Sequence, residues 1–171
     1  MANGDGALGG GYVPSTNYNR TGATDTGGTY VNATLTNPTS TGSLGTSTSL
    51  TPTVAFALTA AQSGTNVFLN AAAGFAITLP AVAAGLRFRF TVAAAFATTN
   101  FTVITPALAD IIQGGAKVLN SDVPAESEDT ISFVATAEKL GDYVEVWSDG
   151  TNWFVDGRGA GTGAITFTTA G

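Results

Sequence analysis

Beyond residue 53, apolar positions recur with a period of two over short stretches, the signature of half-buried strands. Leu86, Phe88, Phe90 and Val92 alternate with Arg87, Arg89 and Thr91, so one face of this segment turns to a core and the other to solvent. Val54, Phe56 and Leu58 alternate as well, ahead of a turn at Gln62-Ser63-Gly64-Thr65. Further strands are expected at 67–69, 75–79, 101–105, 130–135 and 164–168, with short strands or turns at 110–115 and 117–122. Pro80 and Pro106 end two of them, and an acidic turn is expected over 124–129.

Residues 141–159 predict a hairpin. Tyr143, Val144, Val146 and Trp147 suit a strand, Asp149-Gly150 supplies the turn, and Trp153, Phe154 and Val155 return. Tyr143, Glu145 and Trp147 share one face, with Val144, Val146 and Ser148 on the other. Both faces carry apolar residues, which predicts two-sided burial near the middle of a sheet, with Glu145 reaching an edge. The alanine runs near Ala71, Ala81 and Ala93 are too short for helices and are flanked by Gly or Pro. The expected fold is therefore all-β: an antiparallel β-sandwich or jelly roll over residues 54–171. All ten Phe residues lie in that span, as a self-sufficient core requires.

Residues 1–53 break the pattern. They are rich in Gly, Thr, Asn and Ser, and their apolar residues are thinly spaced: Leu8, Tyr12, Val13, Tyr18, Tyr30, Val31, Leu35, Leu44 and Leu50. So few anchors do not offset the entropy of ordering some fifty residues, so this segment is expected to be a long extended arm that does not fold alone. An external surface would then hold it, through backbone pairing and those nine side chains. At about 3.3 Å per residue such an arm spans more than about 100 Å, enough to cross a neighbouring subunit.

Composition narrows the chemistry. The 171-residue chain has no Cys and no His, which removes disulfides, thiolate or imidazole metal sites, and His-dependent nucleophilic catalysis. The expectation is a protein that is not an enzyme and carries no cofactor. Net charge is −6, and the six cations, Arg20, Arg87, Arg89, Lys117, Lys139 and Arg158, are dispersed along the sequence. That is not the clustered footprint of a nucleic-acid binder. No apolar run approaches the roughly 20 residues of a membrane span. The N-terminus shows no secretion signal, so a soluble protein made in a cytoplasm is expected.

Gly159-Ala160-Gly161-Thr162-Gly163-Ala164 matches G-x-G-x-x-A, but only seven residues follow and no long helix does, so it is not a dinucleotide site. Glu126, Glu128 and Asp129 have calcium-type oxygens without EF-hand spacing, and a solvated acidic loop explains them. Asp149 and Asn152 read as turn residues bonding their own backbone rather than as metal ligands. Asn19, Asn32 and Asn100 open glycosylation sequons, which have no meaning without secretion. Trp147 and Trp153 bracket the turn; exposed, either would be a glycan-stacking platform or interface anchor, and at least one is expected in the core.

The segments Gln62-Ser63-Gly64-Thr65 on to Leu69, Gly74-Phe75-Ala76-Ile77-Thr78-Leu79-Pro80, Gly85-Leu86-Arg87-Phe88-Arg89-Phe90, and Gly141-Asp142-Tyr143-Val144-Glu145-Val146 with Ser148-Asp149-Gly150-Thr151-Asn152-Trp153-Phe154-Val155 together resemble a recurrent β-module of tailed-bacteriophage virion proteins. The resemblance covers roughly residues 54–168 and leaves the arm outside. It implies a structural role, most like a head-decoration (cement) protein on the capsid outer surface, with the arm strapping subunits of the major capsid protein lattice. It further implies a homo-oligomer, with a trimer favoured; the dispersed cations and the lack of a long apolar run argue separately for no nucleic-acid and no membrane partner. The alternative is a tail-fibre or tailspike module that binds a host-surface glycan through Trp147 or Trp153.

Overall fold

The structure, a computed structural model, describes residues 48–169. Among these residues, twelve strands form two sheets. In chain order they are β1 (Ser49–Leu50), β2 (Phe56–Ala57), β3 (Thr65–Leu69), β4 (Ala76–Thr78), β5 (Arg87–Val92), β6 (Phe101–Ile104), β7 (Ile112–Val118), β8 (Ser121–Glu128), β9 (Thr130–Phe133), β10 (Tyr143–Ser148), β11 (Trp153–Gly159) and β12 (Ile165–Thr168). The only helical turns among the described residues are two 3-10 turns, Ala60–Gln62 and Pro106–Leu108. A seven-stranded sheet has the order β1-β3-β5-β10-β11-β7-β8, and a five-stranded sheet the order β12-β9-β6-β4-β2.

The all-β sandwich is as expected, but the sheets are mixed rather than antiparallel. From β1 to β6 the chain alternates between sheets, so that β1, β3 and β5 are parallel neighbours in one and β2, β4 and β6 in the other. Parallel neighbours need a long crossover. Here a strand of the opposite sheet supplies it, where a helix would ordinarily serve. Short strands punctuated by turns suggest hairpins in sequence, yet these turns carry the chain across the core instead of back along the same sheet. The later strands close the fold mostly by antiparallel pairing: β9 on β6, β10 on β5, β11 on β10 and β12 on β9. A further parallel pair joins β11 to β7.

The inward-facing residues of both sheets form a single core. Phe101 meets Phe75 and Phe96 edge-to-face, with ring centroids 4.7 and 4.8 Å apart, and Phe88 packs on Trp153 at 6.1 Å. The β10–β11 hairpin forms at the expected place, with Gly150 at φ +100° in its turn. Its burial is one-sided, which corrects the expectation of two apolar faces in a core. Val144, Val146, Ser148, Trp153 and Val155 are buried, whereas Tyr143 and Glu145 are half-buried and Trp147 is exposed. Glu145 is also not at an edge, because β10 is the central strand of seven.

Two local features differ from expectation. Residues 121–128 form edge strand β8 rather than an acidic turn, and Pro124 is tolerated there because an edge strand can spare an N–H. β7 and β8 pair through a two-residue connection in which Leu119 adopts φ +54°. Ser49 and Leu50, on the arm side of residue 53, pair with Asn66 and Val67 of β3.

Candidate functional site

Strand alternation gives each sheet an outward face, and the two differ in chemistry. On the five-stranded sheet, aligned outward positions hold Thr166, Ser132, Thr102 and Ala76 in one row, and Thr168, Thr130, Ile104, Thr78 and Ala57 in the next. None is charged. On the seven-stranded sheet, one row runs Asn66, Arg89, Glu145, Asp156. A second runs Arg87, Trp147, Phe154, Gln113, Glu126. A third runs Phe68, Thr91, Tyr143, Arg158, Lys117, Asp122. Four of the six cations of the chain thus share one face, although the sequence disperses them.

The centre of this face is a locked polar network. Arg87 Nε donates to Glu145 Oε1 at 2.5 Å, and Arg89 Nη1 lies 3.9 Å from Glu145 Oε2. The hydrogen bond to Glu145, and then its charge, hold the Arg87 guanidinium above its ordinary pKa. The Arg89 guanidinium sits 3.7 Å above the Tyr143 ring centre, a cation–π contact. On β3, Asn66 Oδ1 accepts from the Thr91 hydroxyl at 3.1 Å. A shallow depression of about 190 Å³ opens between Gly64, Asn66, Arg87, Arg89 and Glu145. Beside it, Trp147 is 40% exposed, and its ring lies within 21° of parallel to Phe154 at a centroid distance of 6.3 Å.

The two tryptophans therefore have opposite placements. Trp153 is fully buried and cannot stack on a glycan, while Trp147 is displayed on a rigid strand. Of the arm anchors, Leu50 lies in β1, half-buried against the core. Leu8, Tyr12, Val13, Tyr18, Tyr30, Val31, Leu35 and Leu44 lie outside the described residues. Alternation turns Arg87 and Arg89 outward, and the pairing of β5 with β3 and β10 brings Asn66, Glu145 and Trp147 to them. Alternation carried the direction of each side chain, and only the strand order carries their meeting.

Three carboxylates elsewhere, Asp149, Asp142 and Glu138, are tied to backbone. Asp149 Oδ1 accepts from the N–H groups of Thr151 and Asn152, both at 2.8 Å, which holds its pKa below the usual carboxylate value. This is the turn geometry expected of it. Asp142 is buried and bonds Lys139 N–H and Ala160 N–H, both at 2.8 Å; Glu138 Oε1 accepts from Phe96 N–H at 3.0 Å. These two residues fasten the β9–β10 loop to neighbouring loops. Asp129 is buried and accepts from the Thr130 hydroxyl, so it is separated in character from exposed Glu126. Among the described residues, no group of three acidic, His or Cys side chains is placed to hold a metal ion. Also among them, no helix is long and apolar enough to cross a membrane.

Comparison with known proteins finds no matching family model, no matching curated protein and no matching solved structure.

Proposed function

We propose that this chain is a structural protein of a bacteriophage virion that decorates and stabilises the capsid exterior. In this reading residues 1–53 strap neighbouring coat subunits and the β-sandwich is the body from which the strap is held. The observation that carries it is the junction between the two. The chain enters the sandwich as β1, an edge strand, with Thr48 O accepting from Asn66 N–H at 2.9 Å and the Thr48 and Thr65 hydroxyls 2.7 Å apart. A strap pulling on β1 would load its pairing with β3 at the edge of the sheet.

The resemblance of residues 54–168 to phage virion modules supports the same reading. So does the net charge of −6, which suits a surface away from packaged DNA. Association as a trimer would give three straps per trimer and raise avidity without stronger single contacts. Locating copies of the chain on virions by electron microscopy tests the proposal. Density at lattice axes of the shell is the expected result; density confined to the tail overturns it.

A further inference from the structure

We infer that the outward face of the seven-stranded sheet pairs with the same face of a second copy of this chain, about a two-fold axis running along β11. This contact is separate from the threefold association that the resemblance implies, and it does not depend on where the chain sits in a virion.

The charges of this face are ordered by strand. Arg87 and Arg89 stand on β5, and Asp122 and Glu126 on β8. β11 lies midway, two strands from each. One cross-strand row joins the two sides: Arg87, Trp147, Phe154, Gln113, Glu126. Turning a second copy over about β11 lays its β8 on β5 of the first, and its β5 on β8. Strands of the two copies then run in the same direction, within the roughly 30° at which stacked sheets align. Glu126 of each copy faces Arg87 of the other, so the contact is isologous and made twice. Phe154 meets its own copy at the axis, with the exposed Trp147 beside it.

The groups brought together this way lack other partners. Glu126 is exposed and enters no ion pair or side-chain hydrogen bond among the described residues. On the β5 side, the depression of about 190 Å³ offers the terminal nitrogens of Arg87 and the Asn66 amide NH₂, whose carbonyl oxygen is already spent on Thr91. A carboxylate from the second copy supplies the acceptor these donors lack.

Charge also selects a second copy as the occupant. The four cations of this face are matched by Asp122, Glu126, Glu145 and Asp156, giving +4 − 4 = 0 on a chain whose net charge is −6. Two copies repel through their surfaces as a whole but meet here without net repulsion, and the separation of cations from acids makes the encounter attractive. Asp156 and Arg158 lie on β11 itself, so the axis gathers two acids and two arginines. Interface centres are enriched in Trp, Tyr, Phe and Arg. Those residue types occupy this face, and the aligned outward rows of the five-stranded sheet hold none. The five strands from β5 to β8, about 4.8 Å apart and about 20 Å long, offer roughly 500 Å² per copy. The pair then buries about 1,000 Å², the lower bound of a specific contact, which sets the expectation of a weak dimer.

Sedimentation equilibrium of the full-length protein, over about 1 μM to 1 mM, tests the pairing. A dimer with a dissociation constant on the order of 10–100 μM is expected. Glu126→Arg and Arg87→Glu should each weaken it by at least about tenfold, because each replaces two attractive contacts with two like-charge ones. An equimolar mixture of these two variants should recover the dimer, since every contact between unlike chains again sets a carboxylate against an arginine. Trp147→Ala should weaken it about tenfold as well. Thr168→Lys, exposed on the other sheet, should leave it unchanged. Circular dichroism checks that each variant keeps its fold. A monomer throughout, a saturating state other than a dimer, or a dimer indifferent to either charge reversal overturns the inference. So does a mixture that stays dissociated, or equal weakening by Thr168→Lys.

Discussion

The two outward faces of this sandwich rest on one core and are built by the same alternation, yet one is charged and aromatic and the other is hydroxyl and methyl. On the seven-stranded sheet, Arg87, Glu145 and Arg89 interlock beside the exposed Trp147. On the five-stranded sheet the equivalent positions hold Thr78, Thr102, Thr130, Ser132, Thr166 and Thr168, and no charge. Threonine satisfies strand geometry with a branched side chain and little chemistry. Strand formation asks for residue shape, while recognition asks for groups that strand formation does not require. The charged face carries such groups, and the hydroxyl face can be explained without them.

Both faces rest on one buried core and should unfold as one cooperative body, which the largest expected effect tests. Trp153→Ala removes the largest fully buried side chain and should cost about 3–5 kcal/mol. Chemical denaturation followed by far-UV circular dichroism and by Trp147 fluorescence should give one shared transition. Separate transitions would mean that the sheets are independent units and that the faces cannot be compared.

Next in size is a charge placed on the hydroxyl face. Ser132 is only 7% exposed, with Thr102 and Thr166 paired on either side. Ser132→Asp should therefore destabilise by about 2–4 kcal/mol, because a carboxylate there loses water without gaining a cation. Asp156→Lys, at an exposed position of the charged face, should stay within about 0.5 kcal/mol. Equal costs at the two sites, measured by urea unfolding, would erase the distinction between the faces.

A smaller effect is expected at the polar network itself. The Arg87 and Glu145 side chains are 63% and 23% exposed, so Glu145→Gln should cost less than about 1 kcal/mol despite the short contact. Its importance would then lie in local charge and positioning and not in stability. A loss of several kcal/mol would recast the network as part of the scaffold.

The smallest effect concerns the turn between β10 and β11. Backbone N–H groups of Asn152 and Thr151 depress the Asp149 pKa from its ordinary value of 3.8. A depressed acid contributes stability that is fully present above the unfolded value and drains away as pH falls through the lower folded one. The melting-temperature gap between the parent protein and Asp149→Ala should therefore be constant above about pH 5 and shrink below 3.8. A gap that widens on acidification would contradict the assigned hydrogen bonds.

What was legible in sequence, and what was not, divides along the same physical line. Alternation placed β5 and its outward arginines correctly, and Asp149-Gly150 located the β10–β11 hairpin. Period-two patterning states which way a side chain points, but not which strand lies alongside. The parallel pairing of β3 with β5 was hidden for that reason, and with it the convergence of Asn66, Arg89 and Glu145. The β7–β8 connection was obscured because Leu119, a residue that seldom takes positive φ, occupies the turn. Gly114, which resembles a turn residue, lies inside β7, where a Cβ would come within 2.4 Å of the Val155 carbonyl oxygen. Tyr143 and Trp147 suggested a second buried face because aromatic character alone does not separate a core residue from a displayed one.

The proposal that residues 1–53 strap a coat lattice meets its most direct test in capsid occupancy. The chain lacking residues 1–47 keeps β1 and its pairing with β3, so the sandwich can be compared with the full chain by thermal unfolding and then added to undecorated capsids. With an equally stable sandwich, the shortened chain should lose most of its capsid occupancy while the full chain saturates its sites. Equal occupancy by the two would contradict the strap and move the binding function to the sandwich itself.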